Sequence, residues 1–335
     1  MVGCIIIKVM HNLFLNNNTD TKIKIKMNQE RPAMNKAVFA DLHNHTLASD
    51  GDFSPEELVN TAKKIGLGAI GITDHDTLKG LARGLAAGDA AGILVVPGVE
   101  LSIRFKRSFF TGTLHLLCYF QPSRLSDKDF VNAFEALMAD GRGDGLVRAR
   151  IAKINAVFGP AGFDPLLERD LVFEDIACYG ANISRRHFAL ALSEQMGITD
   201  KATINRIIGN DSPAYLPSGI ALDAAGDFIK KQGLLAVLAH PAAGSFTGKG
   251  HYKEVLPPVD TVERLLPEFL AAGITGIEVY YPGHTQEHQA MLISWAEKHH
   301  LLVTGGSDCH DSKERPPAVA GLSEADFRIF WAALS

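Results

Sequence analysis

Short apolar runs recur along this chain, and most are followed at once by a histidine or a carboxylate. The runs fall at 38–40, 69–72, 94–96, 114–120, 234–239, 276–280 and 301–303. Segments of that length read as buried strands. Amphipathic stretches separate many of them, and the alternation predicts parallel strands joined by crossover helices. One helix start is written out in full. Ser54 can cap, Pro55 suits the first helical position, and Glu56 and Glu57 put acid in the first turn. Seven strands with polar residues at their ends point to a barrel, because an open sheet uses one crevice and fewer strand ends.

The residues behind those runs carry the chemistry. His43, His45, Asp50, His75, Glu100, His115, His240, Asp308 and His310 are all metal-ligand types, and they include six of the 13 histidines. In extended chain His43 and His45 share a face, as do Asp308 and His310, while Cys309 points away. Taken singly, each fragment has an ordinary reading. Ser49-Asp50-Gly51-Asp52 is a turn with solvated acids, which is where Asp52 stays. His115 inside an apolar run reads as a core histidine. Glu100 reads as a surface acid or as a carboxylate bridging two ions. His75, between Asp74 and Asp76, reads as a loop residue or as a ligand oriented by a neighbouring carboxylate. Pro241 biases His240 toward extended backbone, and Gly305 and Gly306 allow close backbone approach. Ligand-type residues behind six strands of one barrel define a site for several metal ions.

Length and composition fit one large α/β domain or a domain with an insertion. The chain has 335 residues, 46% hydrophobic and 21% charged, enough for a sizeable core. A net charge of -5 argues against a broad nucleic-acid surface. Cys4, Cys118, Cys178 and Cys309 form no CxxC pair, so a reducing cytoplasm is expected. No apolar run approaches the ~18–20 residues of a membrane span. Residues 1–36, with Asn16-Asn17-Asn18 and alternating lysines at 22, 24 and 26, read as a disordered extension, or as spurious sequence translated upstream of a start at Met34. The barrel is assigned to 37–120 plus 220–335. Between 121 and 219 the strand rhythm gives way to helical patterns, read as an inserted substrate-recognition subdomain.

The motifs Asp-Leu-His-Asn-His-Thr at 41–46, Ser-Asp-Gly at 49–51, Thr-Asp-His-Asp-Thr at 73–77, Pro-Gly-Val-Glu at 97–100, Ala-His-Pro at 239–241 and Gly-Ser-Asp-Cys-His at 306–310 resemble those of PHP-domain phosphoesterases. The resemblance covers residues 37–335. It implies a distorted (β/α)7 barrel and three divalent ions. It places His43, His45, Glu100 and Asp308 on one ion, Glu100, His115 and His240 on a second, and Asp50, His75 and His310 on a third. Mixed imidazole and carboxylate donors suit Mn, Zn or Fe. The segment Asn-Ile-Ser-Arg-Arg-His-Phe-Ala at 182–189, with Pro-Ala-Tyr-Leu-Pro at 213–217, resembles the branch acting on nucleoside 3',5'-bisphosphates and short RNA. Its middle position, usually Pro or Gly, is Arg186 here.

The implied reaction is phosphate ester hydrolysis by metal-activated hydroxide, with Ser184, Arg185, His187 and His284 as candidate phosphate contacts. Arg148 and Arg150 are weaker candidates, as charges on a helix face. His284 and His288 read as a helix start. The expected partner is a small nucleotide or short oligonucleotide, with no membrane, long nucleic acid or obligate protein partner. The competing readings are a histidinol-phosphatase-like monoesterase, a polymerase-associated exonuclease and a non-enzymatic metal-binding module.

Overall fold

The computed structural model describes residues 38–180, 182–248 and 256–334. The 1–36 extension lies outside them. Among the described residues, eight strands form one sheet: β1 Ala40–Asp41, β2 Ala69–Ile72, β3 Leu94–Arg107, β4 Phe110–Tyr119, β5 Ile220–Ala221, β6 Leu235–Leu238, β7 Gly276–Tyr280 and β8 Leu302–Gly305. Seven run in the order β1-β2-β3-β4-β6-β7-β8, and β5 is added on the free side of β3. The sheet curls until its ends nearly meet. Leu42 N donates to Gly305 O at 3.3 Å, and His45 N donates to Cys309 O at 2.9 Å. This is the expected distorted barrel.

One expectation fails. β4 runs antiparallel to both β3 and β6. The turn at 108–109 is too short for a crossover helix, so β3 and β4 form a long hairpin instead. β3 therefore continues to Arg107, well past the apolar run at 94–96.

Helix α1 (Pro55–Ile65) starts as the sequence prescribes. Ser54 Oγ accepts from Glu57 N at 3.2 Å and Ser54 N donates to Glu57 Oε2 at 2.8 Å. Gly66 ends it at φ 96°, in the left-handed region. With α2 (Leu81–Ala91) it buries Leu58, Val59, Ala62 and Leu81 against the outer face of the sheet. Inside the barrel, Ala40, Leu42, Val96, Leu117, Tyr119, Val237 and Ala239 form a second core, closed by Phe327 and Phe330. Along β3 the inward alternation continues from Val96 to Glu100 and Ser102, which raises the polar groups above this apolar floor.

Between β4 and β5 lie α3 (Lys128–Ala139), α4 (Asp144–Phe158), α5 (Phe173–Ala177), α6 (Arg185–Leu190) and α7 (Lys201–Ile208). α3 packs Phe130, Phe134 and Met138 into the outer barrel core. A separate apolar cluster starts only at Val147 and runs to Ala214.

Candidate metal centre and active site

The barrel end above the apolar floor collects the ligand-type side chains. His43 and His45 follow β1, and their Nε2 atoms lie 3.3 Å apart. His45 Nε2 is 3.1 Å from both Glu100 Oε2 and Asp308 Oδ1, and His43 Nε2 is 3.3 Å from Glu100 Oε2. The other Glu100 oxygen faces a second group: Oε1 is 3.0 Å from His240 Nε2 and 3.2 Å from His115 Nδ1. A third group joins Asp50, His75 and His310, again with His45; His310 Nε2 is 3.5 Å from Asp50 Oδ1. All nine sequence-derived residues fall into these three groups. Glu100 stands between the first two with one oxygen in each, and His45 joins the first to the third.

The donors fit metal ions on their own geometry. Two ligands about 2.1 Å from a tetrahedral ion stand about 3.4 Å apart, the spacing seen here. Asp50 Oδ1, His75 Nδ1 and Glu100 Oε2 are buried without a well-formed hydrogen bond. Orphaned buried donors and acceptors are costly unless something else satisfies them. Burial pushes the Glu100 carboxyl up, yet the facing His75, His115 and His43 rings outweigh it and hold it well below the usual range. Asp308 behaves likewise under Arg315, His43 and His310. The carboxylates are held charged and ready to bind a cation.

Around them lies a shell that spacing did not reveal. Glu278, fully buried on β7, accepts from His43 Nδ1 at 3.1 Å and from His240 N at 2.8 Å. A carboxylate inside the apolar run 276–280 was its only signal. Asp41 accepts from Ser307 N and Ala318 N. Arg315 and Tyr281 both donate to Asp308 Oδ2, at 2.9 and 3.3 Å. His310 Nδ1 donates to Asp308 O at 2.9 Å, which leaves its Nε2 lone pair for a cation.

Several local expectations are corrected. The acids beside His75 do not orient it: Asp74 binds Thr46 and Ser49, while Asp76 binds Ser102 N and Arg142. His240 is not extended but has φ 29°, and Asp308 has φ 50°. Two residues of the site thus hold left-handed backbone, a strained conformation characteristic of functional sites. For His240 the Glu278 bond to its amide and the Glu100 contact to its ring override the bias from Pro241. Cys309 is buried in the outer core and stands outside the three groups, as its alternation required.

A cavity of about 320 Å³ opens over the centre. Ser184 and Arg185 line it, together with Arg142, Arg150, Arg186 and Arg315. Arg150 is not an exposed helix charge. It is half-buried, and its Nε and Nη2 donate to Leu216 O at 2.9 and 2.7 Å. Burial and the neighbouring Arg185 and Arg142 push its guanidinium down to about 10. Arg148 instead lies over the Phe173 ring.

His187 is buried and caps its own helix, accepting from Ser184 N at 3.0 Å. His284, expected to contact phosphate, is instead tied up by backbone. Its Nδ1 donates to Val279 O at 3.0 Å and its Nε2 accepts from Ala242 N at 3.2 Å, so neither ring nitrogen remains for a phosphate. His288 caps the helix Gln286–His299 beside Thr285, the expected helix start.

Fold and cavity together define the class: an α/β barrel whose strand ends converge on candidate metal clusters. The PHP domain model matches residues 41–162. A 3',5'-nucleoside bisphosphate phosphatase of Chromobacterium violaceum is 30% identical over 272 residues, covering 81% of this chain and 86% of that protein. A 5'-3' exoribonuclease of Haemophilus influenzae is 28% identical over 273 residues, covering 81% and 89%. A solved structure of an amidohydrolase from Chromobacterium violaceum with bound sulfate superposes with TM-score 0.67 at 27% identity, covering 88% and 96%. The chain belongs to the PHP family.

Proposed function

We propose that this protein removes the 3'-phosphate of nucleoside 3',5'-bisphosphates, and that short 5'-phosphorylated RNA enters the same cavity. Its broader class is plain: it is a phosphoric ester hydrolase of the PHP family. The substrate reading rests on one observation above all. Three histidine–carboxylate groups and several arginines share one cavity. The first set suits cations at a reacting phosphate. The second suits an additional phosphate that does not react.

Divalent cations held by the three groups would acidify a water and screen phosphoryl charge. We assign three ions, drawn from Mn, Zn or Fe, to the mixed donor set. Glu100 holds its two oxygens toward different groups and so fixes the spacing between the first and the second. Arg185 and Arg150 supply planar guanidiniums for the second phosphate, with Ser184 beside them. Arg142 is held by Asp76, Ser102 and Ile183 and lends charge from a fixed position. A cavity of about 320 Å³ accommodates a mononucleotide. The described free cysteines are in keeping with a cytoplasmic setting.

The test compares phosphate release from adenosine 3',5'-bisphosphate and from short 5'-phosphorylated RNA, with an aryl phosphate as reference. The reading expects both nucleotides to outpace the aryl ester in the presence of Mn. Turnover of the aryl ester with neither nucleotide hydrolysed would leave a phosphatase with a different substrate.

A further inference from the structure

We infer that Ile204, Asn205 and Ile208 on α7 form the seat for the nucleobase of the substrate, an assignment that rests on the nucleotide reading above. Helix α7 is capped by Asp200, whose Oδ2 accepts from Thr203 N at 2.8 Å. Its register then decides what each face meets. Ile207 is fully buried in the small apolar cluster of the insert. Ile204 and Ile208, one turn apart, are only half-buried and line the cavity. Asn205 is exposed on the same wall.

Charged groups dominate the rest of that wall. A nucleotide presents charged phosphates and an uncharged base to the same cavity. The phosphates are drawn to guanidinium and metal-ligand groups, and the base gains most where apolar surface leaves water. Ile204 and Ile208 supply adjacent apolar surface on α7, beside the other apolar lining residues Ala189 and Leu256. Ile208 also borders a recess shared with Arg150 and Arg185, so the α7 surface adjoins the arginines assigned to the second phosphate. The base therefore rests next to a phosphate of its own nucleotide. The Asn205 carboxamide carries both donors and an acceptor, and it can meet the edge of any base. Aliphatic contacts and a rotatable amide discriminate weakly between bases, so the seat favours a base over no base without choosing among them.

The experiment measures kcat/KM for adenosine 3',5'-bisphosphate and for the abasic sugar 3',5'-bisphosphate, which keeps the phosphates and lacks the base. In wild-type enzyme the nucleoside substrate is favoured. In Asn205→Ala and in Ile208→Ala the ratio of the two values falls about fivefold or more, chiefly through KM of the nucleoside substrate. Asn205 is exposed, so its variant keeps the fold even if Ile208→Ala loosens the small core. Ratios within about twofold of wild type in both variants would overturn the seat. So would a wild-type enzyme that treats the two substrates alike, which leaves the phosphatase reading standing. A wild-type enzyme that hydrolyses neither bisphosphate removes the nucleotide reading and the seat with it.

Discussion

Glu278 Oε1 lies 3.1 Å from His43 Nδ1, and the same carboxylate accepts the His240 amide at 2.8 Å through its other oxygen. One buried acid thus orients residues of two different ligand groups. A carboxylate on the far nitrogen of a ligating imidazole fixes its tautomer and raises its basicity. Glu278→Gln keeps the volume and loses the charge. We expect its metal affinity to fall about 10- to 100-fold, measured by competition with a chromophoric chelator. Wild-type affinity in that variant would reduce Glu278 to a packing residue.

Arg185 lines the cavity and donates to Asn210 Oδ1 at 2.8 Å. Replacing it by Ala should cost a bisphosphate more than tenfold in kcat/KM and a simple phosphate ester about twofold or less. Equal losses on both esters would remove Arg185 from recognition of the second phosphate.

His284 makes a prediction about acid stability. Burial, above all, holds its ring neutral in the fold, with its proton affinity pushed down to about 3 from 6.5. Between those values only the unfolded chain takes up the proton, so stability falls as pH drops below 6.5. The loss approaches about 1.4 kcal/mol per pH unit, or about 2 kcal/mol at pH 5. Denaturant unfolding of metal-free protein from pH 7.5 to 5 should show a shallower decline in His284→Asn than in wild type. Parallel declines would mean that the ring is not held neutral.

Burial pushes the Cys118 and Cys309 thiols up, whereas Cys178 is exposed. Thiolate is the reactive and metal-binding form. Alkylation of native protein, read by peptide mass, should modify Cys178 and spare Cys118 and Cys309 until the chain unfolds. Cys309→Ala should retain metal. Loss of metal in that variant would bring the sulfur into the site.

The nine ligand types were legible because strand ends impose a short local spacing on them. His43 and His45 alternate along one face, and Asp308 and His310 do the same across Cys309. What spans the fold was not legible. Glu278 lies 235 residues from His43 and acts only after the barrel closes. Arg315 and Arg142 sit on loops where nothing local marks the acids they meet. The β3–β4 hairpin was hidden because an apolar run looks the same in either direction. His284 looked available because spacing says nothing of the backbone that a ring will find. Arg150 looked exposed because the helix pattern did not show which neighbour covers it.

We propose that residues from His43 to His310 hold several cations in one cluster. The direct measurement is metal content per chain after loading with Mn and desalting, for wild type and for folded Asp308→Ala. About three ions are expected in the wild type, one for each donor group, and fewer in the variant with phosphatase activity lost. Less than one ion in the wild type, or an Asp308→Ala protein with full metal and full activity, would contradict it.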